Sequence, residues 1–277
     1  MKFYQISLFI ITVFFCFSAE NLQARRLNKW LCVYSHIPVE KLLSTGAEMM
    51  VLDPDAYNEE EIKALNSAGI KILAYLSVGE AEKYRRHFSK LEGTDLIIQE
   101  NPLWSENFQI KFWEPLWKSL LINYSKEILN KGFKGLFVDV VDAWQNFPES
   151  EQPKRKEQME RLLIDLAEHM LNHDSKHWLV IQNSHELLEN PCLEKLTTGI
   201  NQESLYASWA EAKIEPEWQR NKILALENLR RKGKLVTLIE YTRNSIDMVR
   251  IKMRAAVHGF SPYFTVKELD RIYRDQP

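Results

Sequence analysis

Two aspartates behind an apolar run are the residues best suited to chemistry in this sequence. The stretch GFKGLFVDVVDAW, residues 132–144, places Asp139 directly after apolar residues and Asp142 three positions later. A buried carboxylate is costly without a partner, so a strand that carries one to its end usually marks a functional site. Asp139 and Asp142 are therefore candidates for nucleophilic or acid–base chemistry.

The elements that would position these aspartates form a regular alternation. Apolar residues recur at helical spacing after Pro115, after Pro153 and before Gly233, and short strand-like runs lie between such segments. Eight strands alternating with helices indicate an α/β protein, a (β/α)8 TIM barrel that forms one domain over residues 25–277. The helices after strands one and five are the weakest part of the pattern. The strand candidates are WLCVYS, EMMVLDPD, IKILAYLSVGE, GLFVDVVD, WLVIQNS, TGINQESLY, KLVTLIEY and AVHGFSPYFT.

The carboxyl ends of these strands carry the polar residues. In a (β/α)8 barrel these ends meet at one rim, where active sites lie. The opposite ends carry lysines and a histidine, which suit a solvated face. The rim residues, which we expect to contact a substrate, are Tyr34, Asp53, Glu80, Asp139, Asp142, Gln182, Asn183, Glu203, Glu240, Tyr241 and Tyr263.

Glycoside cleavage is the chemistry that uses several carboxylates without paired histidines or a reactive cysteine. It needs one ionised carboxylate to attack or stabilise the sugar and one protonated acid for the leaving oxygen. Asp139 leads out of a central strand, so it is the better-placed nucleophile. Glu203 lies two strands further round, with the longer reach that suits the acid. For Asp142, a loop cap or a supporting partner is the more frequent role.

Four tryptophans fall in segments placed after strand ends. An exposed indole presents a flat apolar face to a sugar ring and an N–H to its hydroxyls. We expect one or two of them to line a groove, and the others to pack within loops. The four are Trp104, Trp113, Trp144 and Trp209, and we assign Trp113 to the groove.

Several segments together resemble glycoside hydrolase family 114, the endo-α-1,4-polygalactosaminidase-like barrels. The segments are YLSVGEAEKYRRHF, NPLWSENFQIKFWEPLW, GFKGLFVDVVDAW, VIQNS and GINQESLY, and the resemblance runs from about Trp30 to the end of the chain. It implies that Asp139 is the nucleophile and Glu203 the general acid/base of a retaining enzyme. The family motif usually reads Gly-Phe-Asp-Gly, whereas Lys134 stands in that aspartate's position here.

The resemblance also implies a substrate, a partly deacetylated α-1,4-linked galactosamine polymer. Its ammonium groups would suit the surplus rim acids Asp53, Glu80, Asp142 and Glu240. The alternative is that these acids form a hydrogen-bonded scaffold with nearby arginines and amides, and the sequence supports both interpretations equally.

Two other functional classes remain open. A non-catalytic carbohydrate-binding barrel would keep the rim but lack turnover. A metal-assisted hydrolase would need paired histidines at strand ends, and the 7 histidines do not provide them. We expect no cofactor and no metal.

The N-terminus and the composition indicate where the chain acts. Residues 6–19, ISLFIITVFFCFSA, are largely apolar, a run of signal-peptide length, so we expect cleavage between Ser18 and Ala24 and export to the periplasm or outside the cell. An uncleaved membrane anchor is the alternative. The net charge of −2 does not suggest a nucleic-acid partner, and Cys32 and Cys192 do not make a disulfide framework. We expect a monomer whose partner is a polysaccharide substrate.

Overall fold

The architecture is a barrel of eight parallel strands with helices between them. A computed structural model describes residues 26–210 and 213–272, so the predicted signal peptide, residues 1–24, lies outside the described residues. No helix in those two ranges is both long and apolar enough to cross a membrane. The barrel strands, in spatial order, are β1 (Trp30–Val33), β2 (Met49–Leu52), β3 (Lys71–Ser77), β7 (Gly135–Asp139), β8 (Trp178–Gln182), β9 (Gly199–Glu203), β10 (Leu235–Glu240) and β11 (Ser261–Phe264).

Each barrel strand coincides with one of the eight predicted runs, which confirms the predicted fold class. These strands are buried on both faces, as expected when helices cover a parallel sheet, and so they read as continuous apolar runs. Strand register brings the strand ends level, with Ser77 beside Asp139 and Glu203 beside Ile239. The rim predicted from the sequence therefore exists as one edge.

The barrel is nearly closed: among the described residues, backbone hydrogen bonds join all neighbouring strands except β1 and β11. In the described residues, backbone pairing runs without interruption from β1 to β11 in spatial order. The seam between these two strands is bridged by side chains instead. The Trp30 indole donates to the carbonyl of Ser261 at 2.8 Å, and the Ser261 hydroxyl accepts from the backbone N–H of Leu27 at 2.9 Å.

The helices begin and end largely where the sequence indicates. Prolines lie at the first positions of the three long helices that were predicted, where a missing N–H is tolerated. Trp218 is one of the apolar residues at helical spacing before Gly233, but its side chain is exposed and lies beside the ammonium of Lys222. The helices are α1 (Val39–Leu43), α2 (Glu59–Ser67), α3 (Pro115–Asn130), α4 (Gln152–His173), α5 (Pro191–Leu196), α6 (Pro216–Arg231) and α7 (Ser245–His258).

A small antiparallel sheet interrupts the barrel between β3 and α3. It consists of β4 (Glu80–Glu82), β5 (Ile97–Glu100) and β6 (Asn107–Ile110), with β6 in the centre. This sheet was not predicted from the sequence, and Glu80 was expected at the end of the third barrel strand. Barrel strand β3 ends at Ser77, and Glu80 begins the inserted sheet instead.

Candidate active site

Asp139 ends β7 in a tightly constrained turn. Its Oδ1 accepts the backbone N–H of Val140 at 2.7 Å, and Tyr75 also hydrogen-bonds to the carboxyl group. Val140 has φ 57°, a left-handed conformation that is strained for a β-branched residue. Burial, followed by the charge of Glu203, raises the pKa of Asp139 well above its ordinary value. The turn therefore holds a partly buried carboxyl group whose charge depends on its neighbours.

Gly79 explains why the SVGE segment contains a glycine. A Cβ atom at this position would lie 2.2 Å from the carbonyl oxygen of Val140 and 2.5 Å from the Cβ of Ala143. The backbone N–H of Val78 meanwhile donates to the carbonyl of Asp139 at 3.0 Å. The loop after β3 thus packs directly on the turn that carries Asp139.

Glu203 ends β9 and is held by its neighbours on both sides. The hydroxyl of Tyr241 donates to Oε1 of Glu203, and the side-chain amide of Asn183 donates to Oε2 at 3.4 Å. The carbonyl of the same amide accepts the backbone N–H of Glu203 at 3.1 Å. Burial raises the pKa of Glu203, and the charge of Asp142 adds to the increase.

The charges of Asp139 and Glu203 act on each other, because the charge of Glu203 raises the pKa of Asp139. The two strands that carry them are separated by one strand, β8. Two carboxyls that interact electrostatically lose their protons in two separate steps, so one carboxyl can be ionised while the other stays protonated. Glycoside cleavage requires this combination of charge states.

A layer of amides supports the pair from below. Oε1 of Gln182 accepts from the side-chain amide of Asn201 at 3.1 Å, and the hydroxyl of Thr237 donates to Asn201 at 2.9 Å. Gln182 and Asn183, both predicted, therefore lie beside Glu203 as expected from their positions. Asn201 and Thr237 were missed, although polar residues inside runs otherwise typical of buried strands are a signal that could have identified them.

Tyr34 and Tyr75 pack against each other with their rings tilted. Their ring centroids lie 4.3 Å apart, and Tyr75 also contacts Asp139 through its hydroxyl. Tyr34 was predicted, whereas Tyr75 was not singled out. Tyr263, also predicted to contact substrate, is only 1% exposed and packs on Trp30 at 5.5 Å, so it lies in the barrel core.

Asp53 does not present a free carboxylate to the rim. Arg85, itself 3% exposed, donates to both oxygens of Asp53 at 2.8 and 2.9 Å. The same guanidinium donates to Glu82 at 2.7 Å and to Asp55 at 3.0 Å. Three carboxylates therefore converge on one buried cation, which ties the end of β2 to the inserted sheet.

The carboxylate of Glu240 is also bound by other groups of the protein. It is fully buried, and its Oε2 accepts the backbone N–H groups of Tyr206 and Ala207 at 3.0 and 2.7 Å. Burial raises the pKa of Glu240 to about 8. Contrary to the predicted role in substrate contact, this side chain anchors the loop that follows Glu203.

The buried Glu240 predicts a pH dependence of stability. Because its pKa is raised from about 4.5 to about 8, its contribution is fully present below pH 4.5 and is lost as the pH rises through 8. Glu240→Gln should abolish this component, which amounts to at most about 1.4 kcal/mol per pH unit. Urea unfolding of both proteins at pH 5, 6.5 and 8 measures the difference. Parallel pH profiles would contradict this prediction.

The four tryptophans have different surroundings. Trp113 packs on the guanidinium of Arg155 at 3.5 Å and on Phe112 and Phe147, which makes it part of a loop cluster. Its described contacts include none of the other predicted site residues. Trp144 donates to the Ser184 hydroxyl at 3.0 Å. Trp104 and Trp209 are the exposed members, at 41% and 38%.

Acidic residues gather around Asp142 in the turn after β7. Asp142 lies in a short 3-10 helix, Val141–Asn146, and burial, followed by the charge of Glu186, raises its pKa. Glu80 accepts from the Asn101 amide at 2.8 Å, and burial raises its pKa too. Neither Asp142 nor Glu80 takes part in a salt bridge within residues 26–210 and 213–272. These are predicted rim acids that have no cationic partner there.

The described ranges contain no cluster of three or more histidine, cysteine or acidic residues arranged to hold a metal. Cys32 is buried and Cys192 is exposed, and both are free thiols. The described rim residues offer carboxyl, amide and phenol groups.

A nearly closed (β/α)8 barrel with two interacting carboxyls at its rim is the architecture of many glycosidases. The sequence model of glycoside-hydrolase family GH114 matches residues 18–276. The chain therefore belongs to glycoside hydrolase family 114, and it is a glycosidase by family.

Relatives of similar length occur in distant organisms. An uncharacterized protein of Deinococcus radiodurans is 26% identical over 88% of this chain and 81% of its own length. One of Methanocaldococcus jannaschii is 26% identical over 92% of this chain and 82% of its own length.

Two solved structures share the fold. The glycoside hydrolase domain of PelA from Pseudomonas aeruginosa has a TM-score of 0.76 at 20% identity, covering 89% of this chain and 97% of that domain. Ega3 from Aspergillus fumigatus, in complex with galactosamine, has a TM-score of 0.70 at 18% identity, covering 89% and 94%.

Proposed function

We propose that this chain cleaves an amino-sugar-containing polysaccharide by a retaining mechanism, with Asp139 as nucleophile and Glu203 as general acid/base. The observation that carries the proposal is the position of these two carboxyls at the ends of β7 and β9, on one rim with a single strand between them. Asp139 attacks the anomeric carbon while Glu203 protonates the leaving oxygen. Glu203 then removes a proton from the water that hydrolyses the glycosyl-enzyme.

The surroundings of each carboxyl suit these roles. The N–H of Val140 and the hydroxyl of Tyr75 donate to Asp139, which favours its anion. Burial and mutual repulsion keep one proton on the pair, and in the active form this proton lies on Glu203. Asn183 and Tyr241 hold Glu203 in position while the proton moves.

Asp142→Asn should move the alkaline limb of the pH profile. The charge of Asp142 raises the pKa of both Glu203 and Asp139, so its removal lets the shared proton leave at a lower pH. The alkaline limb of kcat/KM, which reports the free enzyme, should therefore shift to lower pH. Profiles of the two proteins on one substrate from pH 4 to pH 9 measure this shift. A limb at unchanged pH would show that Asp142 does not act on the pair.

An amino-sugar polymer is the substrate that suits the open rim acids. Glu80 and Asp142 carry carboxyl groups without a salt bridge in the part of the chain described here, and an ammonium group can supply that partner. The galactosamine in the Ega3 complex is consistent with such a ligand in a barrel of this shape. Asp53 and Glu240, by contrast, serve the scaffold, as the second interpretation of the sequence held.

Hydrolysis assays test the proposal directly. The purified chain should release reducing ends from partly deacetylated α-1,4-linked galactosamine polymer and not from neutral glucans or galactans. Proton NMR of the first product should show the α-anomer, since a retaining enzyme preserves the configuration. Binding of the polymer without cleavage would instead support a non-catalytic carbohydrate-binding barrel, and a β-anomer would exclude the covalent intermediate.

Export is part of the proposal and rests on the N-terminal sequence. The apolar run in residues 6–19 followed by polar residues has the pattern of a signal peptide. Mass spectrometry of the protein recovered from the periplasm or medium should give a mature N-terminus between residues 18 and 25. Full-length protein retained in the membrane would support an uncleaved anchor instead.

A further inference from the structure

A cavity of about 840 Å³ lies beside the catalytic pair, on the far side of Glu203 from Asp139. It is formed by the loops after β9, β10 and β11. Tyr241 lines it and donates through its hydroxyl to Glu203, so the cavity adjoins the general acid/base. A saccharide held by the catalytic pair would therefore have room to extend into this space.

Lys267 lines the cavity and contacts two tryptophans, of which Trp209 also lines it. Its ammonium lies 4.4 Å from the ring centroid of Trp104 and 4.4 Å from that of Trp209. Trp104 comes from the segment between β5 and β6, and Trp209 from the loop after β9. The two indoles thus form a cation cage, already filled by a lysine of the same chain.

The charged side chains that line the cavity are of both signs. Lys267 and Arg243 line it together with Asp247 and Glu268, and Asp247 is paired with Arg250 at 3.2 Å. No salt bridge joins Lys267 to a carboxylate in residues 26–210 and 213–272. On the Asp139 side of Glu203, Glu80 and Asp142 supply carboxyls without such partners. The cavity therefore differs from the Asp139 side in carrying the ammonium of Lys267.

We propose that Lys267 is a specificity-determining residue: its ammonium makes this cavity bind an uncharged, N-acetylated sugar in preference to a sugar with a free ammonium group. A sugar with a free ammonium meets an indole cage that is already occupied and a like charge at short range. An acetamido sugar carries no charge and can pack on the exposed indole edges. The inference rests on the proposed function, because it concerns the same polymer-binding site.

Binding to intact oligomers tests the proposal. In an Asp139→Asn background, titration calorimetry would use fully deacetylated and fully N-acetylated α-1,4-linked galactosamine oligomers. Lys267→Ala empties the cage, so affinity for the deacetylated oligomer should rise roughly fivefold, while affinity for the acetylated oligomer should change less than about twofold. Lys267→Arg keeps a cation in the cage and should keep the parental ratio of affinities.

Lys126→Ala is the matched control, since this lysine is exposed on α3 and absent from the cavity lining. It should leave both affinities at the parental values. Equal changes for the two oligomers in Lys267→Ala, or weaker binding of the deacetylated one, would overturn the proposal and make Lys267 a purely structural bridge. Separately, failure of the protein with Asp139 intact to cleave either oligomer would contradict the proposed function; cleavage with unchanged selectivity would contradict only the role of Lys267.

Discussion

Asp139→Asn is expected to lower kcat on the amino-sugar polymer by about 10⁴-fold or more while polymer binding persists. Asparagine keeps the shape of the side chain and can still accept the N–H of Val140, but it cannot form the glycosyl-enzyme. Reducing-end assays measure turnover, and calorimetry with an uncleaved oligomer measures binding. The loss should appear in kcat with little change in Kd.

The matched control is Asp165→Asn, an exposed aspartate on α4 whose carboxylate pairs with Lys118 at 2.8 Å. Its turnover should stay within about twofold of the parent, because surface pairs contribute little. Full activity of Asp139→Asn would make another carboxyl, with Asp142 the nearest candidate in sequence, the nucleophile. Equal loss of binding and turnover would mean that Asp139 acts in substrate affinity rather than in chemistry.

Arg85→Met should cause the largest loss of stability. The substitution leaves Glu82, Asp53 and Asp55 without their shared cation, and the side chains of Glu82 and Asp53 are only 6% and 12% exposed. Breaking a buried ion pair from one side costs about 3–5 kcal/mol. In a barrel of this size that corresponds to a fall in Tm on the order of 10 °C, measurable by calorimetry.

Arg86→Met provides a control of the same residue type one position along the chain. Arg86 is 69% exposed and donates to Glu127 at 2.7 Å, so its loss should cost less than about 1 kcal/mol. The deficit of Arg85→Met should also shrink at low pH, because protonation removes the uncompensated negative charges. Equal destabilisation by both variants, or a deficit independent of pH, would assign the role of Arg85 to packing rather than to charge.

The barrel itself was predictable because its strands are buried on both faces. Such strands read as short apolar runs bounded by polar residues, and all eight could be placed from that pattern alone. Helices α3 and α4 followed from apolar residues at helical spacing, and these residues are buried in the structure. The convergence of strand ends then brought Asp139, Glu203 and Asn183 together without any further information.

The partners of the rim acids could not be predicted from strand ends. Asp53 and Glu240 occupy the expected positions, but their hydrogen-bond partners come from residues far away in the sequence. Arg85 reaches Asp53 from the segment after β4, 32 positions along the chain, and the loop N–H groups reach Glu240 across 33 and 34 positions. The inserted sheet was missed because its short strands are largely polar.

The seam between β1 and β11 determines where the barrel can loosen without harm to catalysis. Because side chains rather than a backbone ladder bridge it, amide protons along these two strands should exchange with solvent sooner than those of the central strands. Strands β7, β8 and β9 lie at the opposite side of the ring and are joined by uninterrupted pairing. Transient separation of β1 and β11 would thus leave β7, β8 and β9 paired, and with them the spacing of Asp139 and Glu203.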